Sequence, residues 1–375
     1  MYDVALLSLL HDRGKLIAAI AGVALAATLL WVQVGLFVAF LGTSSAIIAR
    51  IGGDVWVMAR GTEVVDNGET LSSGSRSAIA SRACVRHVRG VVISVATMRK
   101  PSGALDYLQI VGVEASQRPI VPWSLARGLP ADLHAPDRVA VDEHDLEKLS
   151  LPADPIGHTI EVSGRLAIVA AMTRGIRSFA LYPYVFSDID NARHLASLAE
   201  GEAQYWVAEL ESAACARDVI AAVSGRGRDL DAHTTEEFER MTERYWVFGS
   251  GAGGALAFCA LFSLLVGAVI VAQTLYSITK EHERELSTLK AMGATPRELI
   301  AFVAWQASFL AIVGGAIGLA LTAGLRDLLS RDGIEIALTW PVFAIGVFAV
   351  LAMCALASVP SVRRVLEVEA AEVFR

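Results

Sequence analysis

The chain has 375 residues, 54% of them hydrophobic and only 19% charged, with a formal net charge of −7. Its mean hydropathy is +0.50. This excludes a disordered chain, a collagen-like repeat and a small disulfide scaffold. The acidic balance argues against a nucleic-acid binder.

The apolar excess is collected into four uncharged blocks: residues 16–41, 247–279, 299–325 and 336–362. Roughly 20 apolar residues in a helix cross a hydrocarbon core of about 30 Å, so each block is long enough to span. Block one follows His11, Arg13 and Lys15. It is too long for the core of a secretory signal and is read as a retained helix. Basic residues set the orientation. Arg13 and Lys15, Lys280, Arg284, Lys290 and Arg297, and Arg363, Arg364 and Arg375 share one side, against Arg326 and Arg331 on the other. The positive-inside rule therefore puts both termini and the 280–298 loop in the cytoplasm. The expected division is residues 1–41 as terminus and first span, 42–246 as an outside domain, 247–279 as second span and 280–298 as a cytoplasmic helix. Residues 299–325 follow as third span, 326–335 as outside loop, 336–362 as fourth span and 363–375 as cytoplasmic tail.

The 42–246 segment holds 21 Lys and Arg against 27 Asp and Glu, and its pattern is mixed α and β. DVWVMAR (54–60), VVISVATM (91–98), YLQIVGVEA (107–115), RVAVDE (138–143), YPYVFSDI (182–189) and YWVAEL (205–210) read as strands. Residues 158–175 read as a hairpin turning at Ser163–Gly164, and helices are expected over Ser75–Val88 and Cys215–Val223. The order suggests a split, ferredoxin-like subdomain with a second subdomain, residues 117–190, inserted into it. Residues 44–51 and 234–246 contain no proline and extend the first two spans outward as a helical stalk. The fold class is thus a four-span α-helical membrane protein with an α+β extracytoplasmic domain, in two subdomains, between helices one and two.

The most specific local pattern is KEHERELSTLKAMGATPRELI (280–300). Leu286 and Leu289 share one side of a helix whose other positions are charged, and Gly293 supplies a left-handed stop. Thr295, Pro296 and Glu298 then form a capping box with proline at the first helical position. A bare connection needs only a few residues, so this ordered surface helix is something a partner can push.

At these residues the chain resembles the MacB/FtsX-type permeases of ABC transporters. Glu285, Leu289, Lys290, Ala291, Gly293 and Ala294 fall in that family's coupling pattern. RVAVDE, IGHTIEVSGR and YPYVFSDIDNAR are similar to the middle of its extracytoplasmic domain. LLHDRGKLIAAIAGVALA followed by GDVWVMARG resembles the DevC type, linked to glycolipid export. The tail departs from the family: residues 369–374 read EAAEVF where a proline is often found. The resemblance implies the permease subunit of an ATP-driven exporter in a bacterial inner membrane, with its large domain periplasmic. The chain itself is then not an enzyme and holds no cofactor. A separate ABC ATPase binds ATP and Mg, a second permease copy completes a dimer, and membrane lipid surrounds the spans. For DevC-type relatives it adds a periplasmic membrane-fusion adaptor and an outer-membrane channel. Coupling to the ATPase is then expected at Glu281, Glu285, Leu286, Leu289, Lys290, Ala291, Gly293 and Ala294. The alternative is an FtsX-like signalling subunit that activates a periplasmic cell-wall enzyme; a domain of about 205 residues fits an exporter better. A ligand sensor needing no ATPase is disfavoured by the ordered cytoplasmic helix.

No Walker A sequence is present to cradle ATP phosphates, and LSSGSR (71–76) lies in the outside domain. There is neither HExxH nor CxxC, so no metal site is expected; Asp142–Asp145 reads as a solvated acidic loop and His282 as part of a charged helix face. Cys259 and Cys354 read as packing residues inside spans. Cys84 and Cys215 share the outside domain and could pair, although spacing does not show proximity. Gly249 and Gly253, and Gly314 and Gly318, are small residues four apart that let helices approach closely. Gln33, Gln273 and Gln306 are the amides within the blocks and are expected to bond to neighbouring helices rather than line a pathway. The spans contain no charge, unlike an ion-coupled carrier.

Overall fold

Helix α1 (Arg13–Ile51) is one element of 39 residues. It ends where Gly52 and Gly53 adopt φ of +66° and +92°, a left-handed backbone that glycine takes without steric cost. The computed structural model describes residues 13–367 apart from 115–121, 177–181, 225–228, 282–286, 289, 291–292, 331–333 and 335. These fall into two units: one takes in residues 40–251, the other the helical residues before and after them.

The first unit is built on ten described strands. They are β1 (Val55–Ala59), β2 (Val85–Arg99), β3 (Leu105–Val113), β4 (Leu125–Arg127), β5 (Arg138–Asp142), β6 (Thr159–Val162), β7 (Arg165–Thr173), β8 (Tyr184–Asp188), β9 (Tyr205–Leu210) and β10 (Leu230–Thr234). Between them run α2 (Ser73–Ala80), α3 (Ile189–Ala196) and α4 (Ala216–Val223), and α5 (Thr235–Arg244) closes the unit. The sheet order is β10-β1-β9-β2-β3-β8-β5-β7-β4, with β6 paired to β2 and β7. The block β10-β1-β9-β2 is antiparallel throughout. With α2 after β1 and α4 after β9 it has the split ferredoxin-like order. The insertion begins earlier than residue 117, at β3. Nor does it form a sheet of its own: β3 pairs along β2 from Val91↔Val113 to Arg99↔Leu105, and β8 continues on β3 in parallel. The two halves share one ladder, because β2 is long enough to pair with β9 at one end and with β3 and β6 at the other.

The expected helix over Ser75–Val88 is shorter, ending at Ala80. Cys84 takes φ +74°, and the β-branched Val85 and Val88 then pair with β9. The hairpin turns at Ser163 and Gly164, both with positive φ, as a two-residue turn matched to strand twist requires. Buried side chains lie on both faces of the sheet. Val55, Val57, Trp206 and Ala208 pack with α4 residues Val219 and Val223. Trp56, Met58, Tyr205 and Val207 pack with Phe238 of α5 and with Ile47, Ile48 and Ile51 of α1. Further along, α3 covers Val92, Leu108, Ile110 and Val139 with Ile189 and Leu195.

The second unit contains, besides the start of α1, the helices α6 (Ala252–Glu281), α7 (Pro296–Leu329), α8 (Trp340–Ala357) and α9 (Val359–Glu367). Among the described residues, four helical segments are long and apolar enough to cross a membrane: Gly14–Ile51, Ala252–Glu281, Pro296–Leu329 and Trp340–Glu367. Their ends differ from the uncharged blocks. Residues Tyr245–Gly249 form a π-helical turn, and Gly251 at φ +76° stops the chain before α6 starts at Ala252 rather than Val247. Arg326 and Asp327 do not break α7, which runs on to Leu329. α8 waits for Thr339 and Pro341 before starting at Trp340. Before it, the Ala337 N–H donates to Gly35 O at 3.1 Å.

Candidate coupling site

The described residues between 280 and 298 make contacts with several helices. Glu281, at the last position of α6, forms an ion pair with Lys15 of α1. Gly293 has φ +101°, and its N–H donates to Lys290 O at 3.1 Å. Thr295 then caps α7: its hydroxyl accepts from Glu298 N at 3.4 Å, and the Glu298 carboxylate accepts from Thr295 N at 2.7 Å. Ala294 packs beside Leu299, Phe302, Val303 and Val365. The Lys290 Nζ donates to Leu366 O of α9 at 3.1 Å. Glu281, Lys290, Gly293 and Ala294 are therefore placed among α1, α6, α7 and α9. Glu285, Leu286, Leu289, Ala291 and His282 lie outside the described residues. An added Cβ at Gly293 meets nothing within 4 Å, so the demand for glycine there comes from the backbone and not from crowding.

The small residues divide. A Cβ on Gly314 would lie 2.6 Å from Val23 Cβ, and one on Gly318 would lie 2.8 Å from Ala24 O and 2.7 Å from Ala27 Cβ. Both face α1, and the Thr28 hydroxyl donates across this contact to Gly318 O at 3.2 Å. Gly253 is buried. Gly249 lies against Tyr245 of its own π-helical turn. Sequence reasoning missed four further close approaches among the described residues of the helical unit: Gly22 on Ile270, Gly35 on Ile336, Gly267 on Ala26 and Met353, and Gly346 on Trp31. It also missed α9. Ser358 and Pro360 signalled that break, but the uncharged run to Val362 hid it.

At the other end of α1 the helix is seated in the sheet. Arg89 is 1% exposed; its Nη2 pairs with Glu209 at 3.1 Å and donates to Ile51 O at 3.4 Å. Burial pulls the guanidinium below its ordinary value, and Glu209 and Glu114 oppose that. Trp56 Nε1 donates to Gly52 O at 3.1 Å. Ser45 donates to Glu243 of α5 at 2.8 Å, and Phe40 lies edge-on to Trp246 with centroids 6.3 Å apart. Asp66 accepts from Gln109 Nε2 at 2.8 Å. Burial raises its carboxyl above the usual range, opposed by hydrogen bonds from Gln109 and Trp246. Cys84 and Cys215 form a disulfide, joining the start of β2 to the turn before α4.

Among the described residues no group of three or more His, Cys, Asp or Glu could hold a metal ion. The acidic run at 142–145 is not a solvated loop throughout. Asp142 is fully buried and accepts from Thr173 Oγ1 and Ile176 N, each at 2.8 Å, and from His144 N at 3.1 Å.

Residues 16–225 match the family model of the MacB-like periplasmic core domain, and residues 257–370 match that of the FtsX-like permease C-terminal region. The chain belongs to the MacB/FtsX-like family of ABC transporter permeases. Seventy residues of this permease are 34% identical to an uncharacterized ABC transporter permease of Methanocaldococcus jannaschii, covering 19% of this chain and 18% of that one. Two solved structures are similar to part of this permease, whose residues 40–251 form its head. The periplasmic region of MacB from Actinobacillus actinomycetemcomitans is 12% identical over 52% of this chain and 95% of that one, with a TM-score of 0.38. The extracellular domain of the ABC-type transporter YknZ, from Gram-positive bacteria, is 12% identical over 48% and 98%, with a TM-score of 0.36.

Proposed function

We propose that this permease is the membrane subunit of an ATP-driven exporter, moved by a separate ATPase that docks beneath residues 280–298. The observation that carries this reading is the capped corner at Gly293–Glu298, with the Glu281–Lys15 ion pair to α1 and the Lys290 contact with Leu366 of α9 on the same stretch of chain. A push on this corner reaches several spans at once. α1 is continuous from Arg13 to Ile51, and its far end is held by Arg89 and Trp56, so displacement of α1 is delivered to the sheet. The Cys84–Cys215 disulfide supports an oxidising, extracytoplasmic compartment for the head, and the basic residues beside the spans support cytoplasmic termini. In this reading the permease acts as a dimer in a bacterial inner membrane. The head works on a periplasmic adaptor leading to an outer-membrane channel, as in the DevC type it resembles. ATP and Mg belong to the partner.

Affinity purification in mild detergent, followed by ATPase and export assays, tests the reading. The wild type is expected to retain an ATPase and an adaptor. Gly293→Val forces a β-branched residue into φ +101° and should leave ATPase binding in place while export falls. Export undiminished in that variant overturns the coupling assignment. Retention of a cell-wall hydrolase instead of an adaptor favours the signalling role.

A further inference from the structure

The short helix α9 carries Arg363, Arg364 and Glu367 at the end of the fourth span candidate. Ser361 and Val365, one turn apart, are buried, while Arg363, Leu366 and Glu367 are exposed and Arg364 is half-buried. A cavity of about 290 Å³ opens between this helix and the end of α6, lined by Tyr276, Val359, Pro360, Arg363, Arg364 and Glu367. Its lining combines two guanidiniums and a carboxylate with an aromatic ring and two apolar residues. Both elements are ends of spans, so the cavity sits at the level where hydrocarbon gives way to headgroups. Tyrosine is enriched at that level, and Tyr276 is 40% exposed. Toward the spans the neighbouring surface is apolar and open, with Leu356 71% and Val359 42% exposed. Lys280, one turn beyond Tyr276 on α6, is exposed as well. The lining itself holds two cations, Arg363 and Arg364, against one carboxylate, Glu367.

We propose that this cavity binds the phosphate headgroup of an anionic phospholipid, with Arg363 and Arg364 on the phosphate and the acyl chains along Val359 and Leu356. Arginine offers forked donors that match phosphate oxygens. The Tyr276 hydroxyl is a further donor at the rim. Glu367 disfavours a second negative charge deep in the site, which suits a single phosphodiester better than a phosphomonoester. The apolar half of the lining selects a lipid over a soluble phosphate, and this inference does not depend on the ATPase reading.

The test is native mass spectrometry of the full chain in mild detergent, titrated with dioleoylphosphatidylglycerol, dioleoylphosphatidylcholine or glycerol phosphate. The wild type should prefer phosphatidylglycerol to phosphatidylcholine by roughly tenfold or more, since each basic residue near a headgroup contributes about fivefold. Arg363→Gln and Arg364→Gln should each cost about fivefold, and the double variant should bind the two lipids equally. Arg363→Lys with Arg364→Lys keeps the charges and should keep most of the preference, which separates lost binding from lost folding. Glycerol phosphate should not displace the lipid. Equal binding of both lipids by the wild type, or an undiminished preference in the double Gln variant, overturns the proposal. So does displacement by glycerol phosphate, which would make the ligand a soluble phosphate. A double Gln variant that keeps its lipid but loses a co-purifying protein would make the cavity a protein contact instead.

Discussion

The two units spend the same apolar side chains in opposite ways. In the sheet unit the largest ones are fully enclosed: Trp56, Trp206, Tyr205 and Phe238 are all below 1% exposed. In the helical unit many of them point outward, with Phe348 74%, Phe258 64% and Leu261 62% exposed although Trp31 is buried, and close contacts are made by glycine, alanine and threonine. Water drives the first arrangement by the hydrophobic effect. Lipid removes that driving force between helices and leaves close packing to hold them. A truncation should therefore hurt the sheet unit most, and an enlargement the helical unit.

Phe238→Ala tests the first half of that contrast. It removes a buried ring packed on Trp56 and Tyr205 and should destabilise the head by about 3–5 kcal/mol, read as earlier loss of protease resistance on heating. Cys84→Ser should cost about 2–4 kcal/mol under oxidising conditions and little after reduction of the wild type. Gly318→Val sharpens the second half. A Cβ there meets the Ala24 carbonyl at 2.8 Å, so α1 and α7 must part. The expected loss is about 1–3 kcal/mol, seen as lower thermal stability in detergent with the head unaffected. Enlarging an open position such as Gly324, where a Cβ meets nothing within 4 Å, is the control.

A smaller effect concerns pH in the head. The folded state raises the Asp66 carboxyl above its ordinary value near 3.8, so over that window the folded state holds more proton than the unfolded one. Stability from this group is present below pH 3.8 and falls as pH rises through the raised value. Asp66→Asn should flatten that part of the pH profile, measured by denaturant unfolding. Smallest of all, Lys15→Gln should change stability by less than about 1 kcal/mol, because the partners in its ion pair are 33% and 51% exposed.

The same contrast explains what was legible in the sequence. The spans announce themselves because lipid demands length and absence of charge. The capped corner at 293–298 was legible because glycine, threonine and proline carry their geometry with them. The single ladder was not, because pairing of β3 with β8 joins residues far apart in the chain and no local pattern encodes it. Cys84 and Cys215 were identifiable as types, but their meeting depends on that same long-range pairing. The break at Gly251 and the start of α9 were masked by apolar neighbours, since hydropathy does not register a turn inside an uncharged run. The seat of α1 was invisible for a different reason. Arg89 sits in a strand rich in arginine, and nothing local shows which one is buried.

The account stands on residues 280–298 and the head facing opposite compartments. Labelling intact cells with a membrane-impermeant maleimide decides it, using Thr288→Cys for residues 280–298 and Leu105→Cys for the head. Leu105 is 67% exposed. Reaction at residue 105 in intact cells, with residue 288 reacting only after lysis, is the predicted result; reaction of both in intact cells would contradict the account.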